Sequence, residues 1–162
     1  MVTAGEAAAV GTERRLQDLG ITLPPPPTPY GAYVEAVKIG NLLYLSGMLP
    51  VVAGNPQFVG QVGGALSVEQ GYEAARIACL NGLSVAKAFL GSLDKVTAVA
   101  KLGVYIATAG DFREHPKVAD GASEILVEVF GTGMLSGRIV LGVASLPLGL
   151  SVEVELVFEV AD

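Results

Sequence analysis

Four consecutive prolines, Pro24 to Pro27, sit in the segment ITLPPPPTPYG at residues 21–31. Each fixes φ near −65° and removes a backbone donor, so the segment can join neither a helix interior nor a central strand. It must run extended, as a polyproline arm. The chain is thereby divided near residue 31. Residues 1–30 are expected to form an appendage, in which TERRLQDLG (12–20) is a short helix with Thr12 as cap and Gly20 as stop. Residues 31–162 are expected to form one folded body, and the full 162 residues suit a single domain with a real core.

Hydrophobic periodicity orders the body. AYVEAVKI (32–39) and NLLYLSG (41–47) read as strands around a Gly40-Asn41 turn. VVAGNPQFVGQVGGALS (51–67) is rich in glycine but lacks a P-loop lysine, so it reads as a flexible connection. Ser67 and Gln70 open a long helix, 67 to about 91, with a capping box. Its stripe of Gly71, Ala75, Ala78, Gly82, Ala86 and Phe89 is suited to packing on a sheet, and Glu69, Glu73, Arg76, Ser84 and Lys87 mark its polar face. Cys79, among Ala and Leu neighbours, reads as a buried and inert thiol. TAVAKLGVYIAT (97–108) is a third long strand. A second helix starts at His115-Pro116 and carries the stripe Val118, Ala122, Ile125, Leu126, Val129 and Phe130. Two further strands follow within 136–160. The order ββ-α-β-α-ββ predicts an α/β layer with both helices on one face of a mixed sheet.

Hydrophobic residues make up 51% and charged residues 16% of the chain, and its mean hydropathy is +0.55. That is apolar enough to expect burial between subunits. A net charge of −6 offers no footprint for nucleic acid or an anionic membrane. No apolar run is long enough to span a bilayer and none follows a basic N-terminus, so neither a transmembrane segment nor a signal peptide is expected. The single cysteine cannot close an internal disulfide, and a reducing cytoplasm is the expected setting.

Common chemical signatures are missing. GTGMLSG (131–137) follows a helix and precedes a strand, the reverse of a dinucleotide loop, and reads as a helix stop. His115 has no second His or Cys nearby, so no metal site is expected, and its place at a helix start predicts a capping role. No serine occupies a nucleophile elbow. An enzyme built on this chain works with carboxylate, arginine, phenol, backbone and water. Three charges interrupt the most apolar segment, SGRIVLGVASLPLGLSVEVELVFEV: Arg138, Glu153 and Glu155. Burying an unpaired charge costs several kcal/mol. From the residues alone, a structural ion pair between Arg138 and Glu153 at a subunit interface is favoured over a site. Glu155 shares the sheet face of Glu153 and reads as a solvated rim charge.

GAYVEAVKIGNLLYLSGMLP resembles the N-terminal motif of the Rid family, the reactive intermediate deaminases also called YjgF-like or L-PSP endoribonuclease proteins. KLGVYIATAGDF (101–112) resembles that family's central strand, and GRIVLGVASLPLGLSVEVEL (137–156) its C-terminal signature. The matches run in order over residues 31–160. The resemblance implies a chorismate-mutase-like fold, a homotrimer, ligand sites between subunits, and no metal or organic cofactor. It implies that Arg138 clamps the carboxylate of a small 2-imino or 2-oxo acid and that Glu153 positions or activates water. Tyr33, Ser46, Gly47 and Tyr105 then line the site, and Val140 contributes its backbone N–H. Arginine suits such a clamp because its planar fork makes two parallel bonds to a carboxylate.

Three positions depart from the family pattern. Val140 stands where a cysteine is common, Pro116 where a site asparagine aligns, and Met48 where the family's S-G-Q has glutamine. Three functions follow, in order of preference: an imine/enamine deaminase releasing a 2-keto acid and ammonia, a non-catalytic trimer binding small carboxylates, and an endoribonuclease. The last is disfavoured because 10 Lys and Arg residues against 16 Asp and Glu leave few cations for phosphate.

Overall fold

The computed structural model describes residues 11–161. Three helices, α1 (Thr12–Asp18), α2 (Val68–Leu90) and α3 (His115–Phe130), accompany seven strands. These are β1 (Ala36–Ile39), β2 (Leu42–Leu45), β3 (Val51–Val52), β4 (Asn55–Pro56), β5 (Val96–Ala107), β6 (Gly137–Val143) and β7 (Val152–Val160). Five form one sheet in the order β1-β2-β7-β5-β6, and β3 and β4 form a separate hairpin. All neighbours in the main sheet are antiparallel except β5 and β6, which run parallel through the α3 crossover. The sheet is therefore mixed, as expected. The glycine-rich segment differs from expectation, because its first residues pair as β3 and β4 and Gln57 N donates to Pro50 O at 2.8 Å.

Helix α2 begins as its sequence predicts. Gln70 N donates to Ser67 Oγ and the Gln70 side chain accepts from Ser67 N, and Gly91 closes the helix in a left-handed conformation. Helix α3 packs across α2 at Gly121, where a Cβ would lie 2.0 Å from the Tyr72 carbonyl oxygen. Only glycine allows that approach. Both helices cover one face of the sheet, over Leu43, Leu102, Val104, Ile106, Val154, Leu156 and Phe158, all fully buried. Cys79 lies in this layer, and burial pushes its thiol pKa up. Two α2 assignments differ from expectation. Phe89 is 49% exposed, whereas Ser84 is buried and its hydroxyl donates to the Pro24 carbonyl.

That contact changes the status of the N-terminal segment. Residues 1–10 lie outside the described residues, but α1 and the arm are docked rather than free. Leu16 is buried in the core, and Lys87 Nζ lies 2.7 Å from Glu13 Oε2. Leu93 N donates to Glu13 Oε1 at 2.9 Å, and Ile21 and Leu23 pack on the core. The arm does run extended, outside every helix and strand. The second face of the sheet carries no helix. Val37, Ile39, Tyr44, Ile139 and Leu141 are exposed there, and α1, α2 and α3 lie elsewhere. No described helix is long and apolar enough to cross a membrane.

Candidate functional site

The end of β2 brings one set of residues together. Met48 and Val154 exchange backbone hydrogen bonds at 2.8 Å each, which sets Gly47 beside Glu153 on the open face. A Cβ at Gly47 would lie 2.0 Å from Glu153 Oε1, so a side chain there would displace the carboxylate from its present position. Ser46 Oγ donates to the Val34 carbonyl at 2.6 Å, and Tyr33 Oη accepts from Tyr30 N at 3.1 Å. Tyr30, Tyr33, Ser46, Gly47, Leu49, Pro147, Leu148 and Glu153 line a cleft of about 410 Å³. Buried Asn81 fixes its far wall by donating to the Leu49 and Val51 carbonyls at 2.9 Å each. Tyr33 lies in the turn before β1 rather than within the first strand.

Glu153 is half-buried, and among the described residues no group donates to it. Burial alone raises its pKa above the ordinary glutamate value. Glu155 is partly exposed, as expected of a rim charge, but it is paired: it accepts from Tyr105 Oη at 2.8 Å and Lys101 Nζ at 3.1 Å, and these partners lower its pKa. Tyr105 pairs directly with Glu153 across β5 and β7, but its hydroxyl is committed to Glu155.

Arg138 and Val140 are on the other face. Arg138 pairs with Leu102 and Val140 with Val104, both buried under the helices. The Arg138 side chain reaches α3, where Nη1 donates to Asp120 Oδ1 at 2.8 Å and to Ser123 Oγ at 3.1 Å. Its Nε and Nη2 donate to no described group, leaving one two-pronged edge open. Within one chain, Arg138 and Glu153 flank β5 on opposite sides and opposite faces. They are also three residues apart along it, about 10 Å at the rise of a strand. They therefore form no intrachain ion pair.

The departing positions are accommodated in different ways. Met48 is buried against α2, so the amide absent there leaves no gap in the cleft wall. Pro116 is the second residue of α3 and offers no donor. His115 does not cap: Glu114 is the cap residue and makes no side-chain cap bond. Instead the imidazole packs edge-on to Phe112, with ring centroids 5.0 Å apart, and over Gly142. Among the described residues, no three His, Cys, Asp or Glu side chains form a metal-binding group. Sequence reasoning missed Tyr30, Leu148, Asp120 and Ser123. Tyr30 was assigned to the appendage, and helix periodicity alone does not aim Asp120 and Ser123 at a strand arginine.

A mixed five-stranded sheet, two helices on one face and a carboxylate cleft at the β2–β7 junction define a chorismate-mutase-like α+β protein. The chain belongs to the family described as "YjgF/chorismate mutase-like, putative endoribonuclease", whose model matches residues 13–160. It is 39% identical over 160 residues to "Protein TCP17" of Trypanosoma cruzi, covering 98% of this chain and 97% of that one. The "2-iminobutanoate/2-iminopropanoate deaminase" of Dermatophagoides farinae is 31% identical, covering 83% of this chain and 91% of that one. Among solved structures, protein Atu1372 of Agrobacterium tumefaciens, described as of unknown function, superposes with a TM-score of 0.85 at 37% identity. That match covers 93% of this chain and 92% of that chain.

Proposed function

We propose that the chain is a hydrolytic deaminase of 2-imino and 2-enamine acids, acting in the cytoplasm as a homotrimer, with each site shared by two subunits. The observation that supports this most is Glu153, a half-buried carboxylate without a described partner, set beside Gly47 at the floor of an open cleft. The geometry of the single chain supports a shared site. Arg138 and Glu153 point to opposite faces of one sheet, so a substrate touching both takes its arginine from a neighbouring copy.

The chemistry then assigns itself. Arg138, held at Nη1 by Asp120 and Ser123, presents Nε and Nη2 to the substrate carboxylate. The protonated imine carbon is already electrophilic, so orientation and one base suffice. Glu153 takes a proton from water as its oxygen bonds to the imine carbon, giving a neutral carbinolamine. It returns that proton to nitrogen, the C–N bond breaks, and the hydroxyl proton passes to the departing ammonia. The products are the 2-keto acid and ammonium, and Glu153 ends ionised as it began. Tyr33 and Ser46 border the reacting centre, and Val140 N–H is the expected backbone donor beside Arg138.

The test is release of ammonia and keto acid from freshly generated 2-imino acids, followed by mixing of variants. Arg138→Ala and Glu153→Gln are each expected to be inactive. Co-refolded together, they should regain a fraction of wild-type activity, because mixed trimers contain interfaces with both native residues. No release by the wild-type protein refutes the deaminase reading, and failure to complement refutes the shared site.

A further inference from the structure

We propose that the cleft beside Glu153 is a side-chain pocket that selects 2-imino acids with large apolar side chains, branched or aromatic, over those with two or three carbons beyond the carboxylate. This rests on the deaminase reading above. The walls carry the argument. Glu153 is the one charged side chain among the described lining residues; beside it and Ser46 the walls are the tyrosine rings of Tyr30 and Tyr33 with Leu49, Pro147 and Leu148. Tyr30, Tyr33 and Leu148 are large side chains left 55%, 49% and 51% exposed, and all three line the cleft that holds Glu153. A protonated imine complements that carboxylate in charge, and an apolar chain attached to it complements the walls.

Backbone strain supports the same assignment. Leu148 has φ 59° and ψ 14°, a left-handed conformation that disfavours any side chain, and Gly149 after it also has positive φ. Glycine would meet the turn's demand at 148 without strain, yet a leucine occupies it and sets its side chain at the cleft mouth. Strain held at a non-glycine residue marks a place where the side chain is needed. The opposite wall is equally built. The rigid proline arm is tied down by the Ser84 hydroxyl at Pro24, and it delivers Tyr30, whose N–H is fixed to Tyr33 Oη. A wall of preset prolines and tyrosines has little entropy to lose when a ligand enters.

Calorimetry on the intact protein with the 2-oxo acid products tests this without turnover. Each methylene that enters the cleft is worth about fourfold in affinity. 4-Methyl-2-oxopentanoate and phenylpyruvate should therefore bind the wild-type protein at least tenfold more tightly than pyruvate. Leu148→Gly, which relieves the strained turn, should melt no lower than wild type while bringing that ratio close to one. Tyr30→Ala provides the same comparison from the other wall if Leu148→Gly does not fold. Equal binding of pyruvate and the larger acids overturns the pocket while leaving the deaminase standing. A ratio untouched by both variants does the same, and means that the walls are covered by a neighbouring subunit. If no 2-oxo acid binds and no imino acid is hydrolysed, the deaminase reading falls and the pocket with it.

Discussion

Glu155 and Glu153 stand two residues apart on one face of β7, in surroundings of opposite kind. Glu155 is a built-in anion, with Lys101 and Tyr105 donating to it and lowering its pKa. Glu153 has desolvation and no described donor, and its pKa is raised. The first arrangement stabilises a charge, and the second leaves a charge in need of something. A strand that provides partners for one glutamate and withholds them from the next carries an energetic cost at the second. The linkage differs in sign as well. A carboxyl raised by folding stabilises the native state below its unfolded pKa, and that contribution is lost as pH rises through the folded value. Glu155 is lowered, so its contribution is present above the unfolded pKa and lost as pH falls through the folded one.

The largest effect expected from breaking this asymmetry is on turnover. Glu153→Gln should reduce hydrolysis of 2-imino acids by ~10²–10⁴-fold, the range for a lost general base. Thermal melts across pH should show that the same variant is at least as stable as wild type at neutral pH, since it no longer buries a charge. Loss of stability at neutral pH would show Glu153 to be structural. Gly47→Ala tests the same carboxylate from its neighbour. The added methyl cannot share space with Oε1, so the carboxylate must move and turnover should fall at least ~10-fold. An unchanged rate would mean that Glu153 moves freely.

The same end of the sheet offers a smaller stabilising change. Ser151 is fully buried, and its hydroxyl has no partner among the described residues. Ser151→Ala should therefore raise stability by ~1 kcal/mol in chemical denaturation. A loss instead would reveal a hydrogen bond that the hydroxyl makes in the assembled protein. Glu155→Gln is the mildest test: turnover should survive, and the melting temperature should fall only slightly, because the pair with Lys101 is largely solvated. A collapse in rate would move the base from Glu153 to Glu155.

Much of this was legible in the sequence where local rules decide. The Ser67–Gln70 box and the His115-Pro116 start each follow from backbone chemistry that acts within one helical turn. Ser84 and Phe89 were misplaced because their burial depends on where the proline arm lies, which periodicity within α2 does not encode. The cleft was half legible. Tyr33, Ser46 and Gly47 of the N-terminal motif and Glu153 of the C-terminal signature do converge. That Arg138 faces away from Glu153 depends on the register of two strands against β5, and alternation within either strand leaves that register open. Tyr30 and Leu148 carry no signal of their own. One depends on the docking of the arm and the other on the φ of a single turn.

The position of β7 between β2 and β5 has a kinetic consequence. It is the last strand of the sheet in sequence, yet it supplies the hydrogen bonds that join β1–β2 to β5–β6. During synthesis the two halves emerge first and have no ladder between them until residues 152–160 arrive. The β2–β7 contact alone closes a loop of more than a hundred residues, a separation that slows the search for native pairing. A nascent chain therefore waits with two sheet edges unpaired, and its final strand acts as the closing bolt.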